Sequence, residues 1–253
     1  MTGQGELAGG ATALAVLTKP QSSAFLPFLL LAALRHLPRR SLIRGIICGC
    51  VVSLLVLLPY LLAGTLPALI HTVSTTIGHG PRISSYAFNL WWLVGWGNAW
   101  EIKDFEPLIG TISYRTVGLV LFFGVAYGFI AWKTWTANKS STVATLAVFT
   151  GLAFFLLPTE IHENYLYPTI PLLAITLVNQ PRNWLPMWLL SISWFFNLTT
   201  TYERTLPLLT QLSSTLFGSY LFPLQVILAV SNLAMLLLFA YWLLKRPTEV
   251  VQQ

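Results

Sequence analysis

Long apolar runs, separated by short polar connections, constrain this chain more than any other feature. The run 46–63, IICGCVVSLLVLLPYLLA, contains no charged residue. A helix of about 20 mostly apolar residues crosses a bilayer, where the backbone must satisfy its own hydrogen bonds. The sequence therefore predicts an all-α, polytopic transmembrane helical bundle that forms a single transmembrane domain over 1–253. About seven spans are expected, near 7–34, 46–63, 114–132, 143–157, 166–178, 184–198 and 221–244.

The scarcity of charge excludes an ordinary soluble domain. Charged residues make up 9% of the 253 positions and hydrophobic residues 55%, whereas soluble domains average about 25% charged residues. The formal net charge of +6 is interpreted as an orientation signal and not as a nucleic-acid footprint. Cys48 and Cys50 lie inside an apolar run, so they are expected to pack as small residues. No cofactor is predicted, and no carboxylate cluster is dense enough to predict a metal site.

The first apolar run is interrupted by Lys19-Pro20. Proline has no backbone N–H and disfavours helix at the preceding residue. The sequence therefore predicts one kinked span with halves 7–17 and 23–34. Because the chain opens almost directly on this apolar run, it is expected to be a C-terminal portion, a split-gene product or a diverged relative of a longer protein.

The basic residues are distributed asymmetrically. If the predicted spans alternate, nine of the 14 Lys and Arg residues fall on one side: Arg35, Arg39, Arg40, Arg44, Lys133, Lys139, Arg182, Lys245 and Arg246. The positive-inside rule makes that side cytoplasmic. An integral, multi-pass protein of the plasma or bacterial inner membrane is predicted, with a cytoplasmic C-terminus. The opposite side then holds the loops 64–113, 158–164 and 199–220, the first with short helices that include an interfacial one over 66–73.

Polar residues that could carry chemistry gather on the non-cytoplasmic side. Ionisable groups at the edge of hydrocarbon are costly and are often functional. The candidates for binding a substrate or a donor phosphate are Lys19, Gln21, Arg82, Asn89, Trp91, His162, Glu163 and Tyr165. The weak candidates for a catalytic carboxylate are Glu160 and Glu163.

Each candidate also has a structural alternative. His162 is either a hydrogen-bond donor to an anion, a proton carrier, or part of a solvated turn beside an aromatic belt. Lys19 either contacts a phosphate or extends to the interface at a helix break. The aromatic segment around Trp91 either stacks on a sugar or lies in the interface, and Arg82 fits a phosphate or a lipid headgroup.

Three segments, in this order, resemble the C-terminal half of the GT-C glycosyltransferases, which use polyprenyl-phosphate sugars and include mannosyltransferase-like members. The segments are Leu17-Thr-Lys-Pro-Gln21, Ser85-Tyr-Ala-Phe-Asn-Leu-Trp-Trp92 and His162-Glu-Asn-Tyr-Leu-Tyr-Pro168. The last is similar to a His-Glu-Arg-Tyr pattern, but Asn164 replaces the Arg. No single motif is decisive, and the three together span most of the chain.

The resemblance implies transfer of a sugar from a lipid-phosphate donor on the non-cytoplasmic face. Lys19 and His162 would then neutralise the phosphate as it departs. Inverting transfer needs a carboxylate base, and the family carries its acidic residues in an earlier outer loop. The one aspartate here, Asp104, lies elsewhere, so the base is unassigned.

Two further classes of protein stay open. One is a non-catalytic membrane subunit, or inactive relative, that supports a separate N-terminal catalytic half. The other is a transporter of a lipid-linked substrate, since broken helices occur at transport sites. The expected partners are membrane lipid and a polyprenyl-phosphate-linked sugar, with no nucleic acid.

Overall fold

The computed structural model describes residues 4–76, 80–136, 140–201, 211 and 214–245. These residues are mostly helical, as predicted. The chain divides into two compact units, Met1–His79 and Gly80–Gln253, here called unit 1 and unit 2. The single transmembrane domain stays a prediction. Much of the predicted loop 199–220, together with Lys139 and Arg246, lies outside the described residues.

The described residues of unit 1 form four α-helices and one 3-10 turn. They are α1 (Gln4–Thr18), a 3-10 turn (Pro20–Phe25), α2 (Leu26–His36), α3 (Arg39–Leu62) and α4 (Leu66–Thr76). The predicted break is confirmed. Lys19 has extended backbone torsions, and α1 ends directly before it, because Pro20 cannot continue the helical hydrogen bonds.

Helices α1 and α3 are in direct backbone contact through glycine. A Cβ atom on Gly9 would lie 1.9 Å from the carbonyl oxygen of Gly45, and one on Gly5 would lie 2.2 Å from that of Ser41. No real side chain tolerates such distances, so only glycine permits this approach. Small residues four apart on facing helices are a common device for packing membrane helices.

The contact pairs show that α1 and α3 run parallel, since Gly5 faces Ser41, Gly9 faces Gly45 and Gly49 lies against Gly9 and Ala13. Only two residues join α2 to α3. The chain must therefore return along α2 to the end where α1 began. The prediction of one kinked span over 7–34 is wrong in this respect, because α1 and α2 are the two arms of a hairpin.

The hairpin also places charge within unit 1. Glu6 pairs with Arg44 at 3.6 Å, so the start of α1 lies beside the basic end of α3. Lys19 follows the other end of α1, about 20 Å away at 1.5 Å per residue. Unit 1 thus separates Lys19 from Arg35, Arg39 and Arg44, as the sequence analysis predicted.

A cavity of about 750 Å³ lies among the helices of unit 1. Its lining is almost entirely apolar and comes mainly from α1, α2 and α3, with Leu66 at the start of α4. Many apolar side chains of α3 are also exposed, including Leu55 at 61% and Leu62 at 78%. These surfaces suit lipid and not water.

Unit 2 contains most of the chain. Its elements are α5 (Leu90–Val94), β1 (Pro107–Ile109), β2 (Ile112–Ser113), α6 (Tyr114–Leu119), a π-helical segment (Val120–Ala126), α7 (Tyr127–Thr136), α8 (Ser140–Leu156), a 3-10 turn (Glu163–Leu166), α9 (Thr169–Leu177), a 3-10 turn (Pro181–Asn183), α10 (Trp184–Thr201), a 3-10 turn (Gly218–Tyr220) and α11 (Leu221–Lys245). Helix α8 lies at the centre and contacts α7, α9 and α11. Its residues Leu146, Leu152 and Phe155 are fully buried.

Three helices of the described residues are long and apolar enough to cross a membrane: Arg39–Leu62, Tyr114–Thr136 and Ser214–Lys245. The apolar helix Ser141–Leu156, most of α8, is shorter. In unit 2, helices occupy every run predicted as a span, with ends that differ by at most four residues. Helix α3 covers the run predicted at 46–63 up to Leu62, but it begins seven residues earlier. Membrane association is therefore supported by length and composition.

The predicted loop 64–113 is more structured than the sequence suggests. The helix expected over 66–73 is confirmed as α4, and its interfacial position stays a prediction. The antiparallel hairpin of β1 and β2, with Gly110 at φ +59° in its turn, was not predicted. The hairpin leads directly into α6 and brings Arg115 back to Asp104.

Candidate functional site

Two loops that are distant in sequence lie side by side in unit 2. The N–H of Ser85 donates to the carbonyl of Ile161 at 2.9 Å, and the N–H of Glu160 donates to the backbone carbonyl of Arg82 at 3.0 Å. Tyr86 forms a β-bridge with His162. The structure therefore joins two of the three segments that carry the family resemblance.

The first of these loops is held in place by later helices. Asn197 on α10 donates to the carbonyl of Tyr86 at 2.5 Å and accepts from the N–H of Phe88 at 3.1 Å. Asn232 on α11 donates to the carbonyl of Phe88 at 2.9 Å. These bonds satisfy buried backbone groups that no sheet or helix serves. They fix the backbone that precedes α5.

Asn89 and Trp91 are core residues. Asn89 is fully buried and caps α5, since its Oδ1 accepts from the N–H of Trp92 at 3.0 Å. Trp91 is 1% exposed, and its indole N–H donates to the carbonyl of Leu157 at 2.7 Å. The structure therefore gives Trp91 a packing role in place of the predicted stacking surface, and it gives Asn89 a capping role.

An ion pair between a buried carboxylate and a partly exposed guanidinium anchors the other side of the site. Asp104 is fully buried, and it accepts two hydrogen bonds from Arg115, at 2.7 and 3.0 Å. Thr159 donates a third bond to Asp104 at 3.0 Å. Arg115 also donates to Glu160. One guanidinium thus ties the hairpin to the loop before His162.

Glu160 occupies an unusual position. Its φ of +60° lies in the left-handed region, which costs on the order of 1 kcal/mol for a residue other than glycine. Burial raises the pKa of its carboxyl group, and the negative charge of Asp104 raises it further, while Arg115 opposes both effects. The carboxylate of Glu160 is therefore engaged by a cation within the structure.

His162 presents an accessible imidazole. Its side chain is 49% exposed, whereas that of Glu163 is 2% exposed, and the two approach at 3.8 Å from Nδ1 to Oε2. Partial burial lowers the pKa of His162, so the neutral ring predominates at pH 7. The ring can then offer either one N–H donor or one nitrogen acceptor.

Tyr165 lies beside His162. The two ring centroids are 5.5 Å apart, and Tyr165 stacks on Phe154 at 5.8 Å. Burial raises the pKa of the Tyr165 hydroxyl, with smaller contributions from the charges of Glu163 and Glu160. Tyr165 therefore stays a neutral hydroxyl that can donate a hydrogen bond.

An exposed aromatic stack forms the remaining part of the site. Tyr86 stacks on Trp100 with centroids 4.8 Å apart and an angle of 13°. The guanidinium of Arg82 lies 5.5 Å from the centre of the Trp100 ring and donates to the carbonyl of Glu101 at 3.3 Å. Tyr86 has a φ of +64° and is 40% exposed.

The other two predicted site residues belong to unit 1. Lys19 and Gln21 lie in the turn between the arms of the α1–α2 hairpin. The Nε2 atom of Gln21 is buried, and no hydrogen-bond partner for it occurs among the described residues. A ligand oxygen could accept from that amide.

No group of three or more metal-ligating side chains occurs in the described part of the chain. Comparison of the chain with protein-family models, with curated proteins and with solved structures gave no match. Any assignment of function therefore depends on the residues of unit 1 and unit 2 themselves.

Sequence reasoning missed Asp104, Arg115 and Trp100 as members of the site. Asp104 was noted as the one aspartate but was placed outside the chemistry. An Asp and an Arg that flank a ten-residue stretch with Gly110 in it are a weak signal of a hairpin closed by an ion pair. Nothing in the sequence indicated that Trp100 would stack on Tyr86.

Proposed function

We propose that this protein is a membrane glycosyltransferase, or the C-terminal part of one, that transfers a sugar from a polyprenyl-phosphate donor on the non-cytoplasmic face. The observation that carries the proposal is the backbone pairing of Ser85 and Tyr86 with His162. Two resemblance segments are thereby joined at an accessible histidine. Transfer from a sugar phosphate needs a hydrogen-bond donor at the departing anion and a surface nearby that holds the sugar.

His162 is the proposed contact to the donor phosphate. Its imidazole is exposed, and an oxyanion beside it favours the protonated ring. Donor binding would thus oppose the lowering of its pKa by burial. Fixed donors at the departing phosphate stabilise the charge that develops as the glycosidic bond breaks. The hydroxyl of Tyr165 supplies a second hydrogen-bond donor close to His162.

Unit 1, taken by itself, has features that suit a polyprenyl-phosphate ligand. The apolar cavity of about 750 Å³ is of a size and polarity that fit part of an isoprenoid chain. Lys19 and Gln21 at the hairpin turn offer a cation and an amide for a phosphate.

The membrane arrangement belongs to the same proposal. The α1–α2 hairpin enters from the cytoplasmic side and returns to it. Six further passages follow, formed by α3, residues 114–136, α8, α9, α10 and α11. This order keeps Arg35, Arg44, Lys133, Arg182 and Lys245 cytoplasmic, in accord with the positive-inside rule. Because Glu6 pairs with Arg44, it joins the cytoplasmic side.

One observation favours the second candidate, a non-catalytic membrane subunit. Inverting transfer needs a carboxylate base that can take the proton from the hydroxyl of the acceptor substrate. Asp104 is buried against Arg115, Glu160 is bound to Arg115, and Glu163 is 1% exposed. The base would then come from a separate catalytic chain, and this protein would supply the donor site.

Transfer from tritiated polyprenyl-phosphate hexoses to endogenous acceptors, measured in membranes that contain the full chain, tests the proposal. His162→Ala should lower transfer about 100-fold, as loss of one transition-state donor does. His71→Ala, at an exposed histidine of α4, is the matched control and should leave transfer unchanged.

Unchanged transfer by the His162→Ala protein would overturn the assignment of the site. If the purified chain alone transfers nothing from any hexose donor, the enzyme proposal fails for the isolated chain. Recovery of His162-dependent transfer on addition of a co-purifying membrane protein would then establish the subunit alternative.

A further inference from the structure

Tyr86 is the exposed aromatic of an otherwise buried loop. Its neighbours Ser85 and Ala87 are 1% and 0% exposed, whereas Tyr86 is 40% exposed. The left-handed backbone at Tyr86 directs the side chain away from the core that receives Phe88 and Trp91. The loop thus places one aromatic ring outward by adopting a conformation that bulky residues disfavour.

The rigidity around Tyr86 goes beyond what an exposed side chain needs. Its carbonyl accepts from Asn197 at 2.5 Å, and the preceding Ser85 N–H donates to Ile161 at 2.9 Å. Ser84 closes the turn through a bond from its hydroxyl to the carbonyl of Ala87 at 3.0 Å. Strained backbone held by several bonds is a common property of ligand sites.

Trp100 supports the Tyr86 ring from one side. The two rings are nearly parallel, and Arg82 lies near the Trp100 ring. The stack presents an aromatic surface whose negative π-face attracts the partly positive C–H groups of a sugar ring. The β-bridge from Tyr86 to His162 places this surface next to the proposed phosphate contact.

We infer that Tyr86, supported by Trp100, is the subsite on which the pyranose ring of the substrate stacks beside His162. This inference rests on the proposed function and names the substrate part that the site would recognise: a neutral hexose with an apolar C–H face. Tyr86, which is exposed, thus takes the sugar-stacking role that the sequence suggested for Trp91, which is buried.

Binding of methyl glycosides of mannose, glucose and galactose, measured by saturation-transfer NMR on the full chain in nanodiscs, tests the inference. At least one glycoside should receive saturation at its ring C–H protons. Tyr86→Ala should weaken its binding about tenfold, and Tyr86→Phe should keep binding within about twofold, since the ring and not the hydroxyl stacks.

Tyr86→Gly separates a binding role from a structural one. Glycine adopts positive φ without a steric penalty, so this variant should unfold at the same or a higher temperature and still lose glycoside binding. Trp96→Gly is the matched control, because Trp96 is also exposed with a φ of +47° but contacts Phe222. It should keep glycoside binding.

Three outcomes would overturn the inference: no binding of any glycoside by the unaltered protein, full binding by Tyr86→Ala, or equal loss in Tyr86→Phe. The proposed function is judged separately by the His162-dependent transfer. Transfer without glycoside binding would leave that function intact and remove the Tyr86 subsite. Tyr86-dependent binding without transfer would keep the subsite and contradict the enzyme.

Discussion

The buried carboxylate of Asp104 accepts two hydrogen bonds from Arg115, at 2.7 and 3.0 Å. The two residues are eleven positions apart and are connected by the β1–β2 hairpin. Because Arg115 also bonds Glu160, this one pair links the hairpin to the loop that precedes His162. The position of His162 therefore depends on an ion pair whose residues lie outside the three segments that carry the family resemblance.

Arg115→Ala should destabilise unit 2. The variant leaves the Asp104 carboxylate buried without its cation, which should lower the free energy of unfolding by about 3 kcal/mol. This value is the lower end of the range for broken buried pairs, because the Arg115 side chain is 43% exposed. The melting temperature in nanodiscs should fall by roughly 6–12 °C. Lys103→Ala, at an exposed cation of the same loop, is the control. Equal melting temperatures of the two variants would contradict a stabilising role for the pair.

Glu160 should make stability depend on pH. Since its pKa in the folded protein is raised above 4.5, the folded state keeps a proton that the unfolded chain has released. Stability contributed at Glu160 therefore decreases as the pH rises from 4.5 through the raised pKa. Glu160→Gln should remove this dependence. The melting temperature of the variant should therefore increase relative to that of the unaltered protein as the pH rises.

The control for Glu160→Gln is Glu101→Gln, which neutralises an exposed carboxylate of the same unit. Its melting temperature should stay parallel to that of the unaltered protein between pH 4 and 7.5. A constant difference between Glu160→Gln and the unaltered protein over that range would show that Glu160 does not titrate as described.

The parallel packing of α1 on α3 should be accessible to cross-linking. A Cβ at Gly49 would lie 3.9 Å from the Cβ of Ala13, close to the mean of about 3.8 Å for disulfides. In a background with Cys48 and Cys50 replaced by serine, Ala13→Cys/Gly49→Cys should oxidise to one intramolecular bridge. Non-reducing electrophoresis after protease cleavage between the helices detects it.

Leu7→Cys/Gly49→Cys is the negative control for this cross-link, since Leu7 is 76% exposed and lies more than a turn from Ala13. A bridge in the control, or none in the Ala13→Cys pair, would contradict the parallel arrangement. One kinked span would carry α1 onward away from α3 and form no such bridge.

Membrane sidedness can be tested at the two ends of unit 1. In the same serine background, Lys19→Cys should react with an impermeant maleimide added outside intact cells. Arg39→Cys should react only after the cells are permeabilised, because the basic end is expected in the cytoplasm. The reverse labelling pattern would contradict the proposed topology of unit 1.

The sequence was sufficient to locate most helices, because apolar runs are bounded by Pro, Gly or charge. For example, α11 begins and ends within one residue of the predicted run 221–244. Direction was harder to predict. The break at Pro20 is compatible with either a kink or a reversal, and only the contact of Gly9 with Gly45 decides between them.

The candidate site was predictable only in part. His162 and Glu163 were identified because charged residues between two apolar runs are unusual. Burial could not be read from composition, so Trp91 was expected to be accessible although its ring is in the core. Whether an aromatic residue points inward or outward here depends on one left-handed torsion at Tyr86, which no local pattern indicates for a tyrosine.

The bonds from Asn197 and Asn232 to the loop at Tyr86 and Phe88 have a consequence for biosynthesis. They join residues 111 and 144 positions apart, so both later helices must be synthesised before the loop can be fixed. At about 5–20 residues per second, the loop waits roughly 7–30 s for Asn232 to be made. The accessible aromatic surface is thus among the last parts of the protein to mature, and chains that terminate before α11 would lack the bond from Asn232 that completes it.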